Sequence, residues 1–182
     1  MKSLDEQEIM DRLKDPKTRR KAFEQLVNQY SEQLYWQVRR IVLLHEDADD
    51  VLQNVFLKAW TKLDTFHQDS KISTWLYRIA LNESLDFMRR KKVQLVSSDD
   101  DETTVSSMLM ADDYFSGTQA EALLQEAIAQ LPEVQRTVFN MHYFEDMKYS
   151  EISEILQTSE GSLKASYHIA VKKISDFFKH HD

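Results

Sequence analysis

The stretch Tyr149-Ser-Glu-Ile-Ser-Glu-Ile-Leu-Gln-Thr-Ser-Glu-Gly-Ser-Leu-Lys-Ala-Ser-Tyr-His168, preceded by Leu131-Pro132-Glu133-Val134, reads as two short amphipathic helices joined by a polar turn. Such a pair can present its second helix to the DNA major groove. On that second helix Leu163, Tyr167, Ala170 and Ile174 share the packing stripe, while Gly161, Lys164, His168 and Lys172 point away with Ser162 and Ala165 beside them. Lys164 and Lys172 have the charge and reach for phosphates; Ser162, Ala165 and His168 are short enough to approach base edges. Ser150 and Ser159 are placed to cap the two helices. Just upstream, Val134, Val138, Met141 and Phe144 are spaced for a helix that packs on the motif, and most of the four read as core.

The rest of the chain decides what a helix-turn-helix is for. Two Gly and two Pro among 182 residues favour long helices over a turn-rich sheet, and 42% apolar residues are enough for packed cores. The expected fold class is all-α. With no Cys there is no disulfide framework, thiolate zinc site or cysteine chemistry. Acidic residues stand near the N-terminus where a signal peptide needs an apolar core, and no apolar run approaches membrane-spanning length. A cytoplasmic protein with no direct membrane insertion is expected.

A net charge of -8 looks wrong for a DNA binder until its distribution is read. Residues 1–92 carry 17 Lys and Arg against 15 Asp and Glu; residues 93–126 carry none against 8; residues 127–182 carry 6 against 8. The acidity sits in the middle. Exposed charges farther apart than a Debye length of about 8 Å are largely screened, so basic faces at either end can still meet phosphates.

That acidic middle is also the boundary between two modules. From Val96 to Gly117 the sequence turns polar and shows no sustained helical stripe, as expected of a flexible tether. Helical patterns cover about 4–14, 18–43, 47–63 and 73–92 before it, and about 118–130, 133–144, 149–156 and 160–178 after it. The expected division is a helical domain at 1–94, an acidic linker at 95–117 and a helix-turn-helix domain at 118–182.

In the first domain, the helix from Asp49 to Leu63 puts Leu52, Val55, Ala59 and Leu63 on a core stripe. Asp49, Gln53, Leu57 and Trp60 fall on another face, flanked by Asp50 and Phe56. Two readings fit these aromatics: Phe56 and Trp60 widen the core, or a Trp and a Leu among Gln and Asp form a partner-docking surface. The helix from Thr74 to Lys92 carries Leu76, Tyr77, Ala80, Leu81, Phe87 and Met88 on its apolar side and Trp75, Arg78, Asn82, Asp86 and Arg89 on the other. An aromatic followed by guanidinium and amide groups suits single-stranded nucleic acid, because the ring stacks on a base, Arg neutralises phosphate and Asn meets a base edge. The same residues also fit a solvated face in which Arg78 and Arg89 flank Asp86. The run Arg89-Arg-Lys-Lys92 extends a positive track or simply complements the helix dipole at its C-terminal end.

The run Asp47-Ala-Asp-Asp-Val-Leu-Gln-Asn-Val-Phe-Leu-Lys-Ala-Trp60, then Ser73-Thr-Trp-Leu-Tyr-Arg-Ile-Ala-Leu-Asn-Glu-Ser-Leu-Asp-Phe-Met-Arg-Arg90, then the helix-turn-helix, resembles the extracytoplasmic-function (ECF) sigma factors of bacterial RNA polymerase. The resemblance covers nearly all of the chain outside the linker and the first turns. It implies a sigma region 2-like bundle and a sigma region 4-like helix-turn-helix domain, acting as a promoter-recognition subunit that is not an enzyme and needs no cofactor or metal. Core polymerase would be gripped through Asp50, Gln53, Phe56, Leu57 and Trp60. The stretch from about Asp64 to Arg89 would melt the promoter near minus ten and capture an extruded base, with Phe66, Lys71, Trp75, Arg78, Asn82 and Arg89 as candidate contacts. The minus-thirty-five element would meet Ser162, Lys164, Ala165, His168 and Lys172. An anti-sigma factor, membrane-bound in much of the family, would be a further partner.

The chain departs from the family pattern at four places: Asn54 where an acidic residue is common, Ser166 and Ile169 where Arg is frequent, and Gln157 where the turn usually has Gly. The missing guanidinium groups weaken the second domain's own electrostatic grip and make DNA affinity depend on polymerase. A non-Gly residue in a left-handed turn costs about 1 kcal/mol. The linker's acidity fits either a mimic of nucleic acid in a basic channel or a plain spacer.

Two other functions fit parts of the sequence. A stand-alone helix-turn-helix regulator needs only duplex binding, and so has no use for the Trp75, Arg78 and Asn82 face or the Asp50, Gln53 and Phe56 face. A helical metalloenzyme using His45, Glu46, Asp47, Asp49 and Asp50 lacks both a Glu-x-x-His pair and a His-Glu-x-x-His motif. An acidic helix start explains those residues.

Overall fold

A computed structural model describes residues 5–66, 70–96, 104–113 and 115–180, with the side chains of 92–96 left aside. The described residues are helical, without a strand: α1 Glu6–Lys14, α2 Arg19–Val42, α3 His45–Lys62, α4 Ile72–Val96, α5 Val105–Met110, α6 Gln119–Ala129, α7 Glu133–Phe139, α8 Tyr149–Leu156 and α9 Glu160–Lys179. A 3-10 turn, Leu63–Thr65, follows α3, and a π-helical turn, Asn140–Phe144, follows α7. Two compact units result, one running from α1 to Arg90 and the other from Lys91 onward with Leu43–His45.

The first unit closes over the stripes that periodicity marks out. Ile9 and Leu13 of α1, Leu26, Leu34 and Val38 of α2, Val51, Val55 and Ala59 of α3, and Leu76 and Ala80 of α4 are all buried in one cluster. Glu6 ties α1 to the start of α4: its carboxylate accepts hydrogen bonds from the Ser73 N–H at 3.2 Å and the Ser73 hydroxyl at 3.0 Å. A negative charge there meets the unpaired amides of the helix N-terminus and its dipole. The Tyr30 hydroxyl also donates to Glu6 at 3.4 Å; burial first, and then that carboxylate, push its pKa up to about 12.

In the second unit α6 begins with a reciprocal cap. The Thr118 hydroxyl accepts from the Glu121 N–H at 3.3 Å while the Glu121 carboxylate accepts from the Thr118 N–H at 2.6 Å. Six residues of the expected tether form α5, which packs on α6 with Leu109 buried. The Thr104 hydroxyl caps α5, and the buried Glu126 of α6 accepts the Ser106 N–H at 3.2 Å. So short a helix carries less than two turns of apolar signal, and docking on a neighbour supplies what its own propensity cannot. The parts of the expected linker at 97–103 and at Tyr114 lie outside the described residues.

One local expectation for this unit is corrected. Ser150 does not cap α8, which starts one residue earlier; Glu151 instead reaches back to accept the Lys148 N–H at 2.8 Å. Of the four residues spaced toward the motif, Val138 and Met141 are buried and Phe144 is half-buried, so most are core as expected, and Val134 is 58% exposed. The π-helical turn breaks the 3.6-residue register between Val138 and Phe144, with the Glu145 N–H bonded to the Asn140 carbonyl at 3.3 Å.

The turn of the helix-turn-helix keeps Gln157 in the left-handed region at φ 53° and ψ 43°, its side-chain amide donating to the Glu154 carbonyl at 2.7 Å. Gln157→Gly is expected to stabilise the second unit by roughly 1 kcal/mol, since glycine adopts this conformation without the Cβ penalty. Thermal unfolding checks it: the midpoint should rise by a few degrees.

Candidate functional site

Three exposed faces carry the predicted site residues, two on the first unit and one on the second. On α3, Asp49, Asp50 and Gln53 are exposed, as are Leu57 at 63% and Trp60 at 39%, while Ala48, Val51, Val55 and Ala59 line the buried edge. Phe56 is half-buried and packs on the core, as the core-widening reading expects, and the rest of its ring stays on the docking side. Trp60 is partly held by its own unit. Its ring meets Phe23 edge-on at 5.0 Å between centroids, and the Arg19 guanidinium lies 5.4 Å from it. Arg19 also bonds Asp64 at 2.7 Å, which holds that exposed carboxyl below its usual range. Leu57 is thus the most open apolar group on this face.

The second face belongs to α4 and the residues before it. Lys71 and Asn82 are exposed, and Arg78 is half-buried. Arg89 is exposed and pairs with Asp86 at 3.1 Å, so the solvated-face reading accounts for part of its charge. Trp75, which the helical wheel places clear of the apolar stripe, is instead half-buried, packs on the core, and meets the half-buried Phe66 ring at 5.0 Å with a 38° tilt. A ring as large as indole spans more than one register position, so it covers the end of the core from the flank of the stripe. His67, Gln68 and Asp69 of the intervening loop, and the Lys92 side chain, lie outside the described residues.

Asn82 and Arg89 open into a cavity of about 280 Å³ whose other walls include Lys58 and Lys62 of α3, with Glu83 and Asp86 of α4. The two lysines were not among the expected contacts. Their spacing of four on α3 is visible in the sequence, but nothing local places them opposite Asn82.

The third face is that of α9. Ser162, Lys164, Ala165, His168 and Lys172 are all exposed, and Leu163, Ala170 and Ile174 are buried beneath them. Ser159 caps the helix, its hydroxyl accepting the Ser162 N–H at 3.4 Å. Lys164 lies 5.6 Å from the Tyr149 ring centroid and 3.8 Å from Glu160, which steadies its stem at the start of the helix. Tyr149 is stacked in turn on His142 at 4.4 Å, and the His142 ring bonds the Met147 carbonyl at 2.8 Å. Among the described residues no cluster of acidic and histidine side chains could hold a metal ion, and no helix is long and apolar enough to cross a membrane.

Two separate helical units, one ending in a helix-turn-helix with an open polar face, define a DNA-binding protein of bipartite design. Sigma-70 region 2 matches residues 26–93, and sigma-70 region 4 matches residues 121–174. The ECF RNA polymerase sigma factor SigW of Bacillus subtilis is 31% identical over 156 residues, which cover 81% of this chain and 83% of that protein. The ECF RNA polymerase sigma-E factor of Escherichia coli is 28% identical over 171 residues, covering 89% and 88%. The sigma factor RpoE of Bartonella quintana, solved with the anti-sigma factor NepR, has the same fold with a TM-score of 0.68 at 22% identity, over 87% of this chain and 98% of that one. The chain belongs to the ECF sigma factors of bacterial RNA polymerase. Its function is promoter recognition for that polymerase, and the stand-alone regulator is set aside.

Proposed function

We propose that the three faces divide the work of initiation. The α3 face, with Asp50, Gln53, Leu57 and the outer edge of Trp60, docks on core polymerase. The α4 face opens the minus-ten element, with Asn82 and Lys71 as direct contacts, Arg78 and Arg89 as phosphate contacts, and the Phe66 and Trp75 pair as a stacking wall. The α9 face contacts the minus-thirty-five element, Lys164 and Lys172 on phosphates and Ser162, Ala165 and His168 at base edges. The chain would do this without catalysing a reaction and in the cytoplasm. The Bartonella sigma factor is bound by the anti-sigma factor NepR, and an anti-sigma factor would be a further partner of this chain, covering its docking faces.

One observation carries the minus-ten assignment. Asn82 is exposed and lines the cavity together with Lys58 and Lys62 of α3, an arrangement a duplex-only reader does not require. An amide can meet a base edge, the Lys62 ammonium can hold an adjoining phosphate, and a cavity of about 280 Å³ leaves room for a planar group. Asn82→Ala is expected to leave core binding unchanged and to slow strand opening about tenfold, because one base contact is worth about 1–3 kcal/mol. A promoter already mismatched across the minus-ten element should recover part of the loss, since the unpairing cost is removed in advance. Permanganate reactivity of thymines on matched and mismatched templates measures both; wild-type opening of the matched template would remove this face from melting.

A further inference from the structure

Glu83 follows Asn82 on α4 and is nearly enclosed, with 10% of its side chain exposed, and its carboxylate accepts a hydrogen bond from the Lys58 ammonium of α3. Lys58 in turn follows Leu57, the most open residue of the docking face. Both charges line the same cavity as Asn82. An enclosed carboxylate is costly, and an apolar side chain of similar size commonly supports a fold as well as the ion pair does. Packing alone therefore gives no reason for a charge here. What an ion pair supplies and an apolar contact does not is direction, because the carboxylate must meet the ammonium at one rotation and height of α4 against α3.

We infer that the Lys58 and Glu83 pair is a strut that positions Asn82 against the docking helix, so that core polymerase, gripping α3, also fixes where the base-capturing amide stands. The inference rests on the assignment of Asn82 to strand opening. Lys58 and Glu83 are positioning residues in this scheme: they set the register between two working faces and need not touch a base. Neighbouring residues on one helix turn together, so a small rotation of α4 that Glu83 permits carries Asn82 with it. A displacement of about 1 Å in a positioned group can cost up to a hundredfold in rate.

Glu83→Met, Lys58→Met, the two combined, and Asn82→Ala test it in full-length protein with core polymerase. Glu83→Met keeps the Lys58 cation and the packing volume, so its melting temperature and core affinity should stay near wild type, yet opening of a matched promoter should slow roughly tenfold. Lys58→Met leaves the Glu83 charge enclosed without its partner and should lower the melting temperature, and adding Glu83→Met should restore it. Opening should stay slow in the restored double variant. That split between recovered stability and unrecovered opening is something a merely structural pair would not produce, and a pre-mismatched template should lessen it. Wild-type opening by Glu83→Met and by the double variant, with Asn82→Ala slow, overturns the strut alone. Wild-type opening by Asn82→Ala overturns the minus-ten assignment and the strut with it.

Discussion

Trp75→Ala is expected to destabilise the first unit by about 3 kcal/mol, the lower end of what truncating a buried indole costs, because the ring is half-buried. The substitution removes the contact with Phe66 at 5.0 Å and uncovers the end of the core that both rings close. For a unit of this size the midpoint of its thermal transition should fall by roughly 10–20 °C. Strand opening should slow as well, since Phe66 then loses the ring that holds it. Trp75→Phe should keep most of the stability, which separates the packing role from any stacking on a base: if opening is as slow in Trp75→Phe as in Trp75→Ala while stability returns, the indole itself meets the DNA. Differential scanning calorimetry with permanganate footprinting distinguishes these outcomes. A midpoint unchanged in Trp75→Ala would mean that the ring contributes nothing to the core.

Replacing Gln53 and Leu57 together by Ala is expected to weaken core polymerase binding roughly thirtyfold, or about 2 kcal/mol, the size of an interface hot spot. Leu57 at 63% exposure has little to lose within its own fold, and Gln53 is likewise exposed. The melting temperature should therefore hardly move, because surface changes of this kind cost within about 0.5 kcal/mol. Trp60→Ala is a poorer probe of docking, since its contacts with Phe23 and Arg19 would be lost at the same time. A titration of labelled protein with core enzyme measures the loss. Unchanged affinity would move the docking surface off α3.

Much of this architecture is local in origin. The long helices follow from apolar residues recurring at three and four, with few Gly or Pro to interrupt them, and the outward residues of α9 follow from the same arithmetic. Gln157 in a left-handed turn is legible because the motif demands that backbone there. Signals of this kind sit within a few residues of their consequence. Ser150 shows the limit of that locality: a hydroxyl suited to capping stands two residues past the actual cap, and the reach of Glu151 to Lys148 sets where α8 begins.

Tertiary structure decided what depends on distant parts of the chain. The docking of α5 on Glu126, the burial of Trp75 against Phe66, and the exposure of Val134 are set by neighbours that periodicity does not name. The cavity beside Asn82 is the clearest case. Lys58 and Lys62 look like solvated charges on α3, and Glu83, seven residues after Leu76, is a charge on the apolar stripe of α4 with no partner in view until the two helices pack. A helical wheel assigns each residue an angle about its own axis, but not which angle of the next helix it will face. That second quantity is fixed by how the apolar stripes interdigitate across the core, and it turns separate surface charges into one site.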